Sequence, residues 1–377
     1  MERPHVHVGA GFSYIHPTLT FERYKPDSEY PSAIPGPNAG FTLGVSTPLG
    51  GVFKDRVAFG FGLFLPMMQM TRAEAVDYNS PQFYRYQSLT DKLIVMLGSA
   101  VRVTDWLDIG LGTQILADLD GGADVEMSLI DQRVTNRRLS IDLNGDLALT
   151  AGITVRPLSN WQIGVSYRAA LDLSYDLPLT ANIEEIGTIE FQIKGVSLYT
   201  PHQLNVGTSY RFLDDQLLLA SDLTVAFWSQ APSASPEIDL RLDANDADPP
   251  ETLLQAQTDA IPLDAQTTLV ARFGVEYNPL DVLAIRAGYL YRPTPIPNQI
   301  YQTNYADSDA HVTSIGLSYS FSDPTKVHKK PLTIGLAAQV TFLRPRRVYK
   351  ADPANETGIY DMNGAVWSLG FDIQHDF

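Results

Sequence analysis

Cysteine is absent from all 377 residues, so no disulfide staples this chain. The absence fits a route through an oxidising periplasm. Long apolar runs are missing too. Hydrophobic residues make up 44% of the chain, yet no stretch approaches the roughly 20 residues that a transmembrane helix needs. Positive charge is scarce: the formal net charge is -16, which argues against a nucleic-acid partner. Met1-Glu2-Arg3-Pro4 lacks the basic start and apolar stretch of a secretory signal. The expectation is a longer exported precursor whose beginning has been removed here.

What the chain does contain is alternation. Trp367, Leu369, Phe371, Ile373, His375 and Phe377 fall on one face of an extended segment, and Ser368, Gly370, Asp372, Gln374 and Asp376 on the other. One face meets something greasy and the other something wet. The same scheme runs through Val6–Tyr14, Ala39–Val45, Val57–Leu65, Leu107–Ile115 and Leu139–Val155. It is cleanest from Trp161, where Ile163, Val165, Tyr167, Leu171, Leu173 and Tyr175 continue one face. Segments around Leu204–Phe212, Leu217–Trp228, Leu269–Tyr277, Leu283–Tyr291, Thr313–Phe321 and Leu332–Leu343 repeat it. With Lys92–Val103 and the C-terminal strand the count reaches about fourteen, an even number as in single-chain bacterial barrels.

Short turns such as Leu213-Asp214-Asp215-Gln216 and Asn278-Pro279-Leu280-Asp281 alternate with long polar links. The long links are Glu22 to Pro37, Thr71 to Gln82, Ser229 to Asp264 and Arg344 to Asn363. Aromatics collect near strand ends, among them Trp106, Trp161, Tyr175, Tyr210, Tyr277 and Phe321, as interfacial girdles do. A soluble sandwich, solenoid or propeller also alternates. It would have to hide the apolar face of every strand with no second sheet left over. The sequence therefore predicts an all-β fold: one transmembrane antiparallel β-barrel of about 14 strands over residues 1–377, in the bacterial outer membrane.

The third strand breaks the rule. Leu63-Phe64-Leu65-Pro66-Met67-Met68-Gln69-Met70 is apolar on both faces and contains a proline, which removes a ladder donor. A closed barrel has no edge to hide it, so Pro66 is expected to mark broken or bent pairing. The next strand puts Ile94 and Met96 on the lumen face, where other strands carry Asp, Arg or Asn. Together they predict an apolar pocket or gap beside Pro66, which flexible methionines suit. A rim proline with space-filling methionines is the bland alternative.

Gly60-Phe61-Gly62-Leu63-Phe64-Leu65-Pro66, Pro201-His202-Gln203-Leu204-Asn205-Val206-Gly207 and the Trp228-Ser229 strand end resemble the FadL/TodX family. So do Arg286-Ala287-Gly288-Tyr289 with Pro293, Pro295 and Pro297, followed by Asp307-Ser308-Asp309. The resemblance covers nearly the whole chain, although Met67-Met68 stand where the family often has Phe-Gly. It implies passive transport of long-chain fatty acids or hydrocarbons: capture outside, passage into the lumen, and exit sideways where the third strand kinks. It also implies an N-terminal hatch with an Asn-Pro-Ala segment, which this chain lacks.

No catalytic or cofactor motif stands out. His5 and His7 form an i, i+2 pair without a third ligand, and Asp118 to Asp124 lacks the closing glutamate of a calcium loop. Neither predicts a metal. Lumen residues Arg168, Asp172, Asp142, Asp146, Arg211, Asp222, Arg272, Glu276 and Arg286 are expected to brace the wall, with Arg168, Arg272 and Arg286 as candidate contacts for a carboxylate headgroup. The candidate path comprises Phe64, Pro66, Met67, Met68, Ile94 and Met96. Expected partners are apolar small molecules, outer-membrane lipids with lipopolysaccharide, and the barrel-assembly machinery, reached through the strand ending at Phe377. Rival readings are an open general porin for small polar solutes, a truncated or engineered pore, and a surface receptor using the acidic link before Asp264.

Overall fold

The computed structural model describes residues 5–22, 31–67, 78–86, 92–128, 133–183, 186–244, 252–322, 330–352, 354–355 and 357–377. Its strands in chain order begin with β1 (His7–Glu22), β2 (Asn38–Pro48), β3 (Val57–Pro66), β4 (Gln82–Phe83) and β5 (Ile94–Thr104). Next come β6 (Leu107–Ser128), β7 (Arg133–Leu158), β8 (Trp161–Arg168), β9 (Leu171–Ile183) and β10 (Gly187–Thr200). Then follow β11 (Gln203–Phe212), β12 (Leu217–Ala226), β13 (Glu237–Ala244), β14 (Thr252–Thr258) and β15 (Thr268–Leu280). The last are β16 (Leu283–Arg292), β17 (Tyr305–Ala306), β18 (Ala310–Phe321), β19 (Leu332–Val348) and β20 (Tyr360–Asp376).

Fourteen of these close into one antiparallel cylinder: β1, β2, β3, β5, β6, β7, β8, β11, β12, β15, β16, β18, β19 and β20. The last pairs back onto the first, from His7 against Asp376 to Glu22 against Asp361. Closure leaves no open edge, as lipid demands of any spanning sheet. Gly364 makes one close approach possible at this seam. Its φ is +134, and a Cβ there would run into the Thr18 carbonyl.

The register keeps the two faces apart. One outward row crosses eight strands as Tyr277, Ile285, Leu317, Leu336, Phe371, Phe12, Phe41 and Leu65. One residue along each strand, the inward row reads Glu276, Arg286, Gly316, Ala337, Gly370, Ser13, Gly40 and Pro66. The outward side chains stay exposed because no protein covers them: Leu336 keeps 55% of its surface open and Phe12, Phe41 and Leu317 are exposed beside it. Exposed apolar surface on every strand of a closed cylinder is a lipid face.

The run from Trp161 departs from expectation. β8 stops at Arg168, and β9 leaves the wall instead of continuing it. Leu171, Leu173 and Tyr175 are buried, Leu171 and Leu173 against Leu116 and Ala148 on the inner side of β6 and β7. They alternate like lipid-facing residues, but the apolar surface they meet is the barrel's own. Further along, β9 pairs in parallel with β6 from Leu179 against Ala123, and β10, β13 and β14 extend that sheet. The link from Ser229 to Asp264 thus contains two strands and is not all loop.

The inside–outside assignment predicts unequal costs for neighbouring substitutions. Leu336→Arg should lower stability by about 2–4 kcal/mol, the cost of a cation on the lipid face near mid-membrane. Ala337→Arg, one residue on and facing the lumen, should cost far less. Urea titrations of both variants folded into lipid vesicles check this.

Candidate functional site

The end that carries the short turns faces the periplasm, and the long links face outward. The lumen wall differs between the two ends. A cavity of about 1040 Å³ is lined by backbone-like positions, including Gly60, Gly98, Gly112, Gly152 and Gly207. Its polar side chains are mostly spoken for. Asp108 accepts from Arg156 Nη2 at 2.5 Å and from Arg102 Nε at 3.3 Å. Small residues keep this part wide, and ion pairs tie adjacent strands together.

Among the described residues, an apolar cluster packs inside the extracellular half. Leu19, Leu343, Tyr360, Met362 and Val366 turn inward from β1, β19 and β20, and Phe83 packs among them with no exposed surface. The Phe83 ring stacks on Phe21 at a centroid distance of 4.4 Å. Phe83 belongs to β4, in the connection between β3 and β5, and β4 pairs in parallel with β17. The β16–β18 connection, residues 293–309, completes this cap. Asn304 Nδ2 donates to the Asn79 carbonyl at 2.7 Å, and Tyr360 Oη donates to Asn304 Oδ1 at 3.0 Å. Lys350 Nζ donates to the carbonyls of Gln299, Tyr301 and Thr303 at 2.9–3.0 Å. Burial pulls that ammonium down to about 8.

A charged hub sits in the cap. Asp307 is fully buried and lies 3.2 Å from Arg292 Nη2 and 3.8 Å from Arg85 Nη1. Thr294 Oγ1 donates to its second oxygen at 2.9 Å. The Arg85 guanidinium lies over the Trp228 ring, 4.8 Å from its centroid. Arg292 Nη2 also donates to Tyr86 Oη at 2.7 Å. Burial, then the neighbouring Tyr199, pushes the Tyr84 phenol up to about 12.

Most of the path residues expected from sequence come together. Phe64 and Pro66 lie on the lumen side of β3, with Ile94 paired to Phe64 and Met96 to Gly62. β3 stays in register with β2 through Pro66, but its pairing with β5 ends at Phe64–Ile94. Leu65 and Pro66 therefore lack ladder partners on the β5 side. The Phe64 ring occupies the space a side chain on Gly40 would need, and Met96 Cε lies over Gly62. Ile94 packs on Leu116, Ala148, Leu171, Leu173 and Leu198, where β9 and β10 cross the lumen wall. Met67 is exposed, with its N–H bonded to the Ala39 carbonyl at 2.9 Å. Met68 lies outside the described residues.

Two of the three arginines expected at a headgroup are engaged by wall carboxylates. Arg272 Nη1 binds Asp222 at 2.7 Å, and Arg286 Nε binds Glu276 at 2.6 Å. Both serve the wall. Arg168 Nε is buried with no hydrogen-bond partner among the described residues. Asp142 lies outside the residues whose side chains are described, and His7 Nδ1 pairs with Asp376 at 2.7 Å. Sequence reasoning missed Phe83, Arg85, Trp228 and Arg292 as a group. The available signal was Tyr78 with Phe83-Tyr84-Arg85-Tyr86, an aromatic-rich stretch inside a connection where polar residues are the norm.

A closed fourteen-stranded cylinder with a lipid face, a partly apolar lumen and a folded-in cap is an outer-membrane channel of the transport type. The family model described as "Outer membrane protein transport protein (OMPP1/FadL/TodX)" matches residues 1–329, and the chain belongs to that family. Among solved structures, the toluene transporter TodX of P. putida is similar at 16% identity and a TM-score of 0.61, covering 100% of this chain and 91% of that one. A Pseudomonas aeruginosa FadL homologue is similar at 16% identity and 0.58, covering 98% and 89%. The CymD monoaromatic hydrocarbon channel is similar at 16% and 0.57, covering 99% and 88%. No curated protein matches the chain.

Phe83→Ala tests the cap. The lost packing amounts to about 3–5 kcal/mol, borne by the cap and not the wall. Ion conductance in planar bilayers should rise while the heat-induced gel shift of the folded barrel stays unchanged. Unaltered conductance would show that Phe83 does not hold the lumen closed.

Proposed function

We propose that this protein carries apolar small molecules across the outer membrane without energy input, and releases them sideways beside β3. The observation that carries this reading is the placement of Phe64, Ile94, Met96 and Leu116. They form an apolar lumen surface at the level where the β3–β5 ladder stops. A ligand there has greasy wall on one side and an interrupted hydrogen-bond ladder on the other. Partition drives the movement: each methylene taken out of water is worth about 0.8 kcal/mol.

Capture occurs on the extracellular sheet. Leu179, Phe191 and Leu240 fall in register on one face of β9, β10 and β13, with Thr180, Glu190 and Arg241 on the other. The capping segments argue against a permanently open porin. The cap and the apolar break share one connection, residues 67–93. Hydrocarbons and fatty acids are both within this ligand class.

Pro66→Thr restores a backbone donor at the end of β3 and favours continued pairing toward β5. Uptake of a radiolabelled alkylbenzene into proteoliposomes should fall about tenfold or more, a loss of at least 1.4 kcal/mol in the barrier comparison. Folding, read by the gel shift, should be unaffected. Equal uptake by the variant rejects lateral exit at this position.

A further inference from the structure

The lipid face is uneven. Between β16 and β1, across β18, β19 and β20, it holds a depression of about 890 Å³. The lining belongs to two adjacent outward rows, so the depression lies outside the cylinder and apart from the lumen. One row is the stretch from Ile285 to Phe12 already traced around the wall. The other, one outward position nearer the extracellular end, reads Ala287, Ile315, Ala338, Leu369 and Tyr14 in register. Its two alanines make low ground, with Tyr14 at the β1 edge.

Along the same strands toward the outside, the chemistry changes in a fixed order. The next outward row is Tyr289, Thr313, Val340, Trp367 and His16, a belt of aromatic and polar residues such as sits at a membrane interface. Phe342 follows on β19, its ring edge-on to Trp367 at 6.5 Å between centroids. After it comes Arg344, whose side chain keeps 72% of its surface open. From Ala338 to Arg344 the strand runs about 20 Å. Tilted by about 40°, it climbs roughly 15 Å, half of a hydrocarbon core about 30 Å thick. Arg344 therefore stands at headgroup level when the depression lies among the ends of the tails.

Arg344 lacks a close acid. Its 3.9 Å to Asp309 is too long for a hydrogen bond, and Asp309 already accepts from Tyr291 Oη and the Thr294 N–H. The neighbouring outward acids are engaged elsewhere: Asp361 by Arg347 at 2.6 and 2.9 Å, and Glu22 by Asn363 Nδ2 at 2.9 Å. A second barrel laid on the depression would cover its apolar rows and leave Arg344 unanswered. An amphiphile with an anionic head and a saturated tail answers both, and the outer leaflet of this membrane is built from phosphorylated glycolipids. We infer that the depression and Arg344 together seat one such glycolipid, of the lipopolysaccharide class. Its phosphate rests on Arg344, and an acyl chain runs past Phe342 and Val340 into the depression. The planar fork of a guanidinium matches phosphate oxygens. The site does not depend on what the lumen carries or where cargo leaves it.

Native mass spectrometry of the full-length protein in detergent tests the seat. The protein is titrated with bis-phosphorylated lipid A and, separately, with the same glycolipid stripped of its phosphates. The phosphorylated form should bind one to one and at least about tenfold more tightly, as a charge-assisted contact provides. Arg344→Gln should abolish that preference by weakening the phosphorylated form alone, and Arg344→Lys should restore part of it. Ala338→Trp, which fills the depression, should weaken both forms alike. Excess inorganic phosphate should leave lipid A bound. Equal affinities of the unaltered protein for the two lipids would overturn the phosphate seat, and that comparison needs no variant to fold. A preference that survives Arg344→Gln would overturn it as well. Displacement of lipid A by inorganic phosphate would reassign Arg344 to a free anion. A lipid-free dimer that Ala338→Trp dissociates would give the depression to a second copy of the chain and overturn the lipid site.

Discussion

In hydrocarbon, a backbone N–H or C=O without a partner costs several kcal/mol, and water is not there to supply one. Every other feature of this molecule depends on that constraint. It forces the fourteen wall strands into a cylinder and requires β20 to close on β1 over the full length of both strands. Closure fixes the register. Because side chains alternate with a period of two, a fixed register assigns each residue to lipid or lumen. The rows running from Tyr277 to Leu65 and from Glu276 to Pro66 are neighbours on the same strands, yet one is uniformly apolar and the other carries small and charged residues.

The same constraint gives meaning to the place where it is relaxed. Pro66 has no N–H to offer, and the β3–β5 ladder stops two residues before it. Around that point β3, β5 and β6 present an apolar lumen surface, through Phe64, Ile94, Met96 and Leu116. Residues 78–86 of the connection between β3 and β5 lie in the cap, with Phe83 seated among wall side chains and Arg85 in the charged hub. Path, cap and hub are consecutive along the chain.

The wall was legible in the sequence because its signal is local. Alternation over ten residues, as in Leu332–Leu343 or Trp367–Phe377, needs no knowledge of the neighbours, and all fourteen wall strands were found this way. The same signal misled at Leu171, Leu173 and Tyr175. Alternation reports that one face is apolar, but not whether lipid or another strand covers it. The position of Pro66 relative to Ile94 and Met96 was also readable, since proline and unexpected apolar residues mark themselves. The hub was not. Arg85 meets Trp228 and Asp307, and Phe83 meets Phe21 and Tyr360, across separations no local pattern encodes. Wall arginines such as Arg272 and Arg286 drew attention instead, because each stands out against the small residues of its strand. Their carboxylates one strand away make them braces.

The central claim is that this cylinder offers a route to greasy molecules while remaining closed to ions. One proteoliposome preparation, assayed both for influx of an alkylbenzene and for ion conductance, measures the two permeabilities side by side. The account predicts accelerated hydrocarbon entry over protein-free vesicles, together with small and intermittent currents. Large, steady currents with no gain in hydrocarbon entry would contradict it.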